Sequence, residues 1–150
     1  MSLYDLVNDM EIFQTFSEEE KKIFSEMKHS VMKFDKGDVI IKEGDDSVSL
    51  YLLLDGTCLI TKTESDATIR LSKLKAGEFF GEMSFFSKNP RQSDVVANDR
   101  VTVINMDYNF FQQIDPNVRD KIKDYLLQLL ISRLDNMNSA IMRISKLMRI

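Results

Sequence analysis

The sequence predicts a mainly β domain with flanking helices: a strand-rich barrel or sandwich preceded by a short helical segment and followed by a long C-terminal helix. Three observations predict it. From Val31 to about Asp107 the chain is a series of short apolar runs separated by turn residues. On both sides of that stretch the apolar spacing becomes helical. The chain is 150 residues long and 43% hydrophobic, which suits one domain with a real core.

In chain order, residues 1–30 form the N-terminal helical segment. LYDLVNDMEIFQTF has apolar residues at mixed helical spacing, and Ser17 with Glu20 makes a capping box that starts a helix over about 18–28. Ile23, Phe24 and Met27 form its apolar face, expected in the core. Residues 31–107 form the β core, with strands centred on VMKF, DVII, VSLYLLL, CLITKT, TIRLSKL, EFF, DVVA and VTVINM. Asp55-Gly56 between two of these runs predicts a tight type I′ hairpin. All five glycines lie in this part, and Gly37, Gly44, Gly56 and Gly77 read as turn residues.

Residues 108–150 return to helix. Asp107 caps DYNFFQQI, and Pro116 suits the first turn of a helix running from about 117 to 148. Within it, Ile122, Tyr125, Leu126 and Leu129 face the barrel. Leu127, Leu130, Leu134, Met137, Ile141, Ile144 and Met148 repeat at alternating three- and four-residue intervals, a heptad seam that predicts a homodimer through this helix. The alternative is an intramolecular use of the seam. All three parts are expected to form one domain.

Composition narrows the function. Cys58 is the single cysteine and His29 the single histidine, which excludes a disulfide framework and disfavours zinc sites, a cupin-like metal enzyme and histidine-based triads. Cys58 reads as a small apolar strand residue rather than a reactive thiol. The net charge of −4 argues against a broad nucleic-acid footprint, although Arg143, Lys146 and Arg149 make a local basic strip. No recognition helix is visible. No apolar run is long enough to cross a bilayer, and the first thirty residues are not shaped like a signal peptide, so the chain is expected to be soluble and cytoplasmic. No enzyme chemistry, metal or cofactor is indicated.

The most informative stretch is FFGEMSFFSKNPRQSDVVA, residues 79–97, which sets Glu82 and Arg91 among glycine, proline and paired aromatics. FGEMSFF followed by PRQSDVVA, with FDKGDVIIKEGD and YLLLDG upstream, resembles the cyclic nucleotide-binding domain family of catabolite-activator-type regulators, protein kinase A regulatory subunits and cyclic-nucleotide-gated channels. The resemblance covers nearly the whole chain. It implies a double-stranded β-helix, or jelly-roll barrel, that binds a cyclic nucleotide and signals through the C-terminal helices.

The resemblance also implies a site at Gly81, Glu82, Met83, Ser84, Arg91, Gln92 and Ser93. Arg91 would give a phosphate two parallel hydrogen bonds. Residues 82–86 would form one helical turn whose free amides face that phosphate, with Gly81 allowing close approach. Glu82 cannot face the phosphate, because a carboxylate about 6 Å away would be repelled by about 3 kcal/mol at an effective dielectric near 20. In the family this position accepts the ribose 2′-hydroxyl. An Arg91–Glu82 structural ion pair is the alternative.

Two positions depart from the family pattern. Gln92 replaces a small residue, and Asp94 stands where many eukaryotic members carry the threonine or serine that in some of them selects guanine. The ligand expected is therefore cAMP rather than cGMP. Asn138 is a candidate for the adenine edge, while Met137 and Ile141 read as seam residues. A rival reading is the same fold acting as a dimerisation module without nucleotide.

Overall fold

A computed structural model describes residues 3–26 and 30–149. The helix ending near residue 28, the placement of Met27 in its face, and His29 lie partly or wholly outside the described residues.

The N-terminal segment comprises α1 (Leu3–Asn8), a 3-10 helix (Glu11–Thr15) and α2 (Glu18–Ser25). Ser17 caps α2 reciprocally with Glu20: the Ser17 amide donates to Oε1 at 2.8 Å, and the Glu20 amide donates to the Ser17 hydroxyl at 3.2 Å. Eight strands follow among the described residues: β1 (Val31–Phe34), β2 (Val39–Ile41), β3 (Leu50–Asp55), β4 (Thr57–Glu64), β5 (Ala67–Lys75), β6 (Phe79–Phe80), β7 (Asp94–Ala97) and β8 (Val101–Met106). They make two antiparallel four-stranded sheets, ordered β1-β8-β3-β6 and β2-β7-β4-β5. The helix α3 (Glu82–Ser87) interrupts them, and α4 (Tyr108–Gln113) and α5 (Pro116–Leu147) close the chain.

The double-layered core explains the continuous apolar run in β3. Leu50, Leu52 and Leu54 point to a helix-side core with Phe13, Phe24 and Phe111, whereas Tyr51 and Leu53 point between the sheets to Cys58, Leu74 and Phe80. A strand covered on both faces has no polar alternation to show. The same split separates the paired phenylalanines of β6: Phe79 enters the first core and Phe80 the second. Cys58 is fully buried and its thiol is pushed up to about 11, chiefly by burial, which fits the strand reading.

The capping logic of the C-terminal helices holds. Asp107 accepts the Phe110 amide at 2.7 Å, and Asp115, with Pro116 behind it at the helix start, accepts the Asn117 amide at 2.8 Å. Val118, Ile122 and Leu126 of α5 are buried in the helix-side core, with Tyr125 and Leu129 packed against it. Beyond them the seam emerges: Leu130 is half-buried, while Leu127, Leu134, Met137, Ile141, Ile144 and Met148 are exposed.

The expected Asp55-Gly56 hairpin is wrong. Strands β3 and β4 flank Gly56 but lie in different sheets, so this turn carries the chain around a corner between layers. Only Gly56 has positive φ, 86°, whereas a type I′ turn needs it at both central residues. The tight hairpin instead joins β4 to β5, where Glu64 pairs with Ala67 and the intervening Ser65 and Asp66 have φ of 51° and 65°. Asp99, on the loop before β8, holds the corner by accepting the Thr57 amide at 2.7 Å.

Candidate functional site

The site is assembled where β6 ends. Phe80 enters the core between the sheets, its ring stacked at 5.0 Å on that of Tyr51, and Gly81 then turns the chain into α3 with φ of +80°. An added Cβ at Gly81 would stand 2.9 Å from both Arg91 Nη1 and the Ser49 carbonyl, so this position requires glycine for space as well as conformation. The turn leaves the amides of the first residues of α3, Glu82, Met83 and Ser84, at a helix N-terminus.

Arg91 lies against this turn and is only 4% exposed. Its Nη1 donates to the Gly81 carbonyl at 2.9 Å, Nη2 to the Ser49 carbonyl at 2.7 Å, and Nε to the Ser47 hydroxyl at 3.4 Å. A guanidinium carries five N–H groups, so these three acceptors fix its plane and leave one hydrogen on each terminal nitrogen. Burial pulls its pKa below the ordinary arginine value, opposed by Tyr51, Glu82 and Asp45. Backbone bonds hold the segment in place: the Gly44 amide donates to the Arg91 carbonyl at 2.8 Å, and the Arg91 amide to the Asp45 carbonyl at 2.9 Å.

Glu82 is also buried, but its ion-pair partner is Arg133 rather than Arg91. Arg133 Nη1 donates to Glu82 Oε1. Among the described residues the second carboxylate oxygen has no hydrogen-bond partner, so Glu82 keeps acceptor capacity. Sequence reasoning missed Arg133. It lies on α5 just before the seam residue Leu134, and no local signal says that the helix runs back past α3 at this point.

These groups border a cavity of about 180 Å³. Its wall is lined by Gly81, Glu82, Met83, Ser84, Arg91, Gln92 and Ser93, so all seven residues expected at the site are brought together, with Arg133 added. Ile41, Ile60, Phe80 and Val95 supply an apolar side. Asn138 is exposed farther along α5 and is not among the lining residues. Asp94 is absent from the lining too: its carboxylate accepts the Glu43 amide at 2.6 Å and so stitches the β2–β3 loop to β7. The cavity thus joins a cation and helix-terminal amides at one end, a carboxylate beside them, and an apolar wall. It is suited to a small ligand with an anionic group, a hydroxyl-bearing portion and a flat apolar portion.

The family model for the cyclic nucleotide-binding domain matches residues 31–115. A cAMP-dependent protein kinase regulatory subunit of Debaryomyces hansenii is 29% identical over 110 residues, covering 73% of this chain and 24% of that protein. The chain therefore spans about a quarter of the length of this relative. A cyclic nucleotide-binding domain from Methylobacillus flagellatus superposes with a TM-score of 0.76 at 24% identity, covering 94% of this chain and 81% of that one. The Thermus thermophilus catabolite activator protein superposes with a TM-score of 0.75 at 22% identity, covering 89% and 62%. Both superpositions show a shared fold.

Proposed function

This chain belongs to the cyclic nucleotide-binding domain family, and from that premise we propose that it is a non-enzymatic cytoplasmic sensor of cAMP. The observation that carries the reading is Arg91, buried beside the free amides of α3 with two N–H groups left for an anion. A cyclic phosphodiester fits there: the guanidinium forks onto its oxygens, and the amides of Glu82, Met83 and Ser84 approach from the other side. Gln92 and Ser93 flank Arg91 in the lining and complete the phosphate end. The ribose 2′-hydroxyl donates to the unpaired oxygen of Glu82, and the base lies toward Ile41, Ile60 and Val95. No hydroxyl at position 94 is offered to a guanine edge, which favours cAMP over cGMP. Asn138 remains a candidate base contact only if α5 moves or a partner helix supplies it.

Residues 1–30, 31–107 and 108–150 act as one domain in this reading. Glu82 takes the sugar on one oxygen and Arg133 on the other, so the ligand favours the conformation in which α5 is docked. Calorimetry against cAMP and 2′-deoxy-cAMP tests the site. Wild type is expected to prefer the ribose form by about 10- to 150-fold, the value of one hydrogen bond to a charged group. Glu82→Ala is expected to bind the two alike. A protein that binds neither nucleotide would be the ligand-free dimerisation module instead.

The partner of the exposed seam is a second copy of this chain, joined through α5 as a two-helix contact. Light scattering is expected to give twice the 17.4 kDa of the chain. Met137→Lys, placing a charge at a seam position that is 60% exposed in the single chain, is expected to give the monomer mass without loss of fold. A wild-type protein at monomer mass would remove the dimer from this proposal.

A further inference from the structure

The loop between β2 and β3 brings an exposed hydroxyl against the buried cation of the pocket. Ser47 is solvent-exposed, in a stretch without helix or strand, yet its Oγ accepts from Arg91 Nε at 3.4 Å. The loop is fixed on either side of it. The Glu43 amide is held by Asp94, the Gly44 and Asp45 backbone pairs with Arg91, and the Ser49 carbonyl takes Arg91 Nη2. One face of Ser47 is therefore open to a modifying enzyme while the other sits at the guanidinium.

We propose that Ser47 is a phosphorylation site whose phosphoryl group captures Arg91 and closes the pocket to nucleotide. The inference rests on the reading of Arg91 as the phosphate anchor. The hydroxyl oxygen attacks the γ-phosphorus of a nucleoside triphosphate held by a protein kinase. A new O–P bond forms, the bridging bond breaks with its electron pair staying on the departing nucleoside diphosphate, and the hydroxyl proton passes to the kinase's base.

The product has two advantages over the ligand. It carries a charge of about −1.5 to −2 near neutral pH, against one negative charge on a cyclic phosphodiester. It is also tethered, so it competes for Arg91 as an intramolecular group at high effective concentration. The carboxylates of Glu82 and Asp45 act on Arg91 and oppose a second anion there, and Asp46 precedes Ser47 in the chain. Arg91 already lies at hydrogen-bond reach of the serine oxygen, and the phosphoryl oxygens extend beyond it as stronger acceptors.

The test installs phosphoserine at position 47 of the full chain by genetic code expansion, with phosphoserine at Ser65, on the β4–β5 turn, as the reference. A ³¹P NMR titration is expected to place the second pKa of phosphoserine 47 at least about one unit below the ordinary value near 6, because a neighbouring guanidinium favours the dianion. Phosphoserine 65 is expected to titrate near 6. The lowering should vanish in Arg91→Gln; should that variant fail to fold, the reference position alone decides. In calorimetry, the phosphoserine 47 protein is expected to bind cAMP at least about tenfold more weakly than the unmodified protein, and the phosphoserine 65 protein equally well.

An ordinary pKa at position 47 would overturn the proposal. So would undiminished nucleotide affinity in the phosphoserine 47 protein. If the unmodified protein binds no cAMP, the ligand reading falls, and a lowered pKa would still support capture of Arg91 by this serine.

Discussion

Arg91→Ala is expected to weaken cAMP binding by about 2–5 kcal/mol, or roughly 30- to several-thousand-fold, because it removes a buried cation from the proposed phosphate end of the cavity. The free protein loses less. Truncation leaves the Gly81 and Ser49 carbonyls without a donor, at about 1–3 kcal/mol for each acceptor that water cannot reach. Removing a desolvated charge offsets part of that cost. Arg91→Lys should fall between, since an ammonium restores the charge but not the planar fork that holds two carbonyls while facing a phosphate. Isothermal titration with cAMP, beside thermal unfolding of each variant, checks both halves. Unchanged affinity in a folded Arg91→Ala protein would place the phosphate elsewhere.

Gly56→Ala is expected to be the most damaging single-methyl substitution in the barrel. A Cβ there would lie 2.3 Å from the Arg100 carbonyl oxygen and 2.8 Å from the Val101 side chain, so backbone has to move at the corner between the sheets. Positive φ in a residue other than glycine adds about 1–3 kcal/mol, and overpacking adds a further 1–3 or so. Their sum is a large part of the roughly 5–15 kcal/mol that holds a domain folded. Gly37→Ala isolates the clash, because Gly37 has φ of +91° with nothing within 4 Å of the added carbon. Thermal unfolding should therefore rank Gly56→Ala well below Gly37→Ala; equal melting points would mean that the corner yields freely.

What could be read from the sequence divides along chain distance. The helix starts marked by Ser17, Asp107 and Pro116 were legible because each acts on residues within one helical turn. The residues that line the cavity were legible because Gly81–Ser84 and Arg91–Ser93 are two short segments with a recurring pattern. Asp55-Gly56 misled for the complementary reason: its dipeptide chemistry describes a turn, while the sheet each flanking strand joins depends on β7 and β8 far along the chain. Ser65-Asp66, which does form the tight hairpin, lacks the glycine that would have marked it. Arg133 and Ser47 were invisible because they meet their partners across separations of 51 and 44 residues. An arginine on a polar helix face and a serine in an acidic loop have many ordinary uses.

The length of α5 has a mechanical consequence. The helix has 32 residues, and Arg133 still lines the cavity, so the segment from there to Leu147 runs on for about 21 Å at 1.5 Å per residue. Arg133 grips Glu82 near the fulcrum of that arm. A rotation of about 10° at the fulcrum would swing the tip sideways by roughly 4 Å, about a third of a helix diameter. A displacement too small to disturb the barrel is thereby enlarged to a sideways step that whatever packs along the seam has to follow.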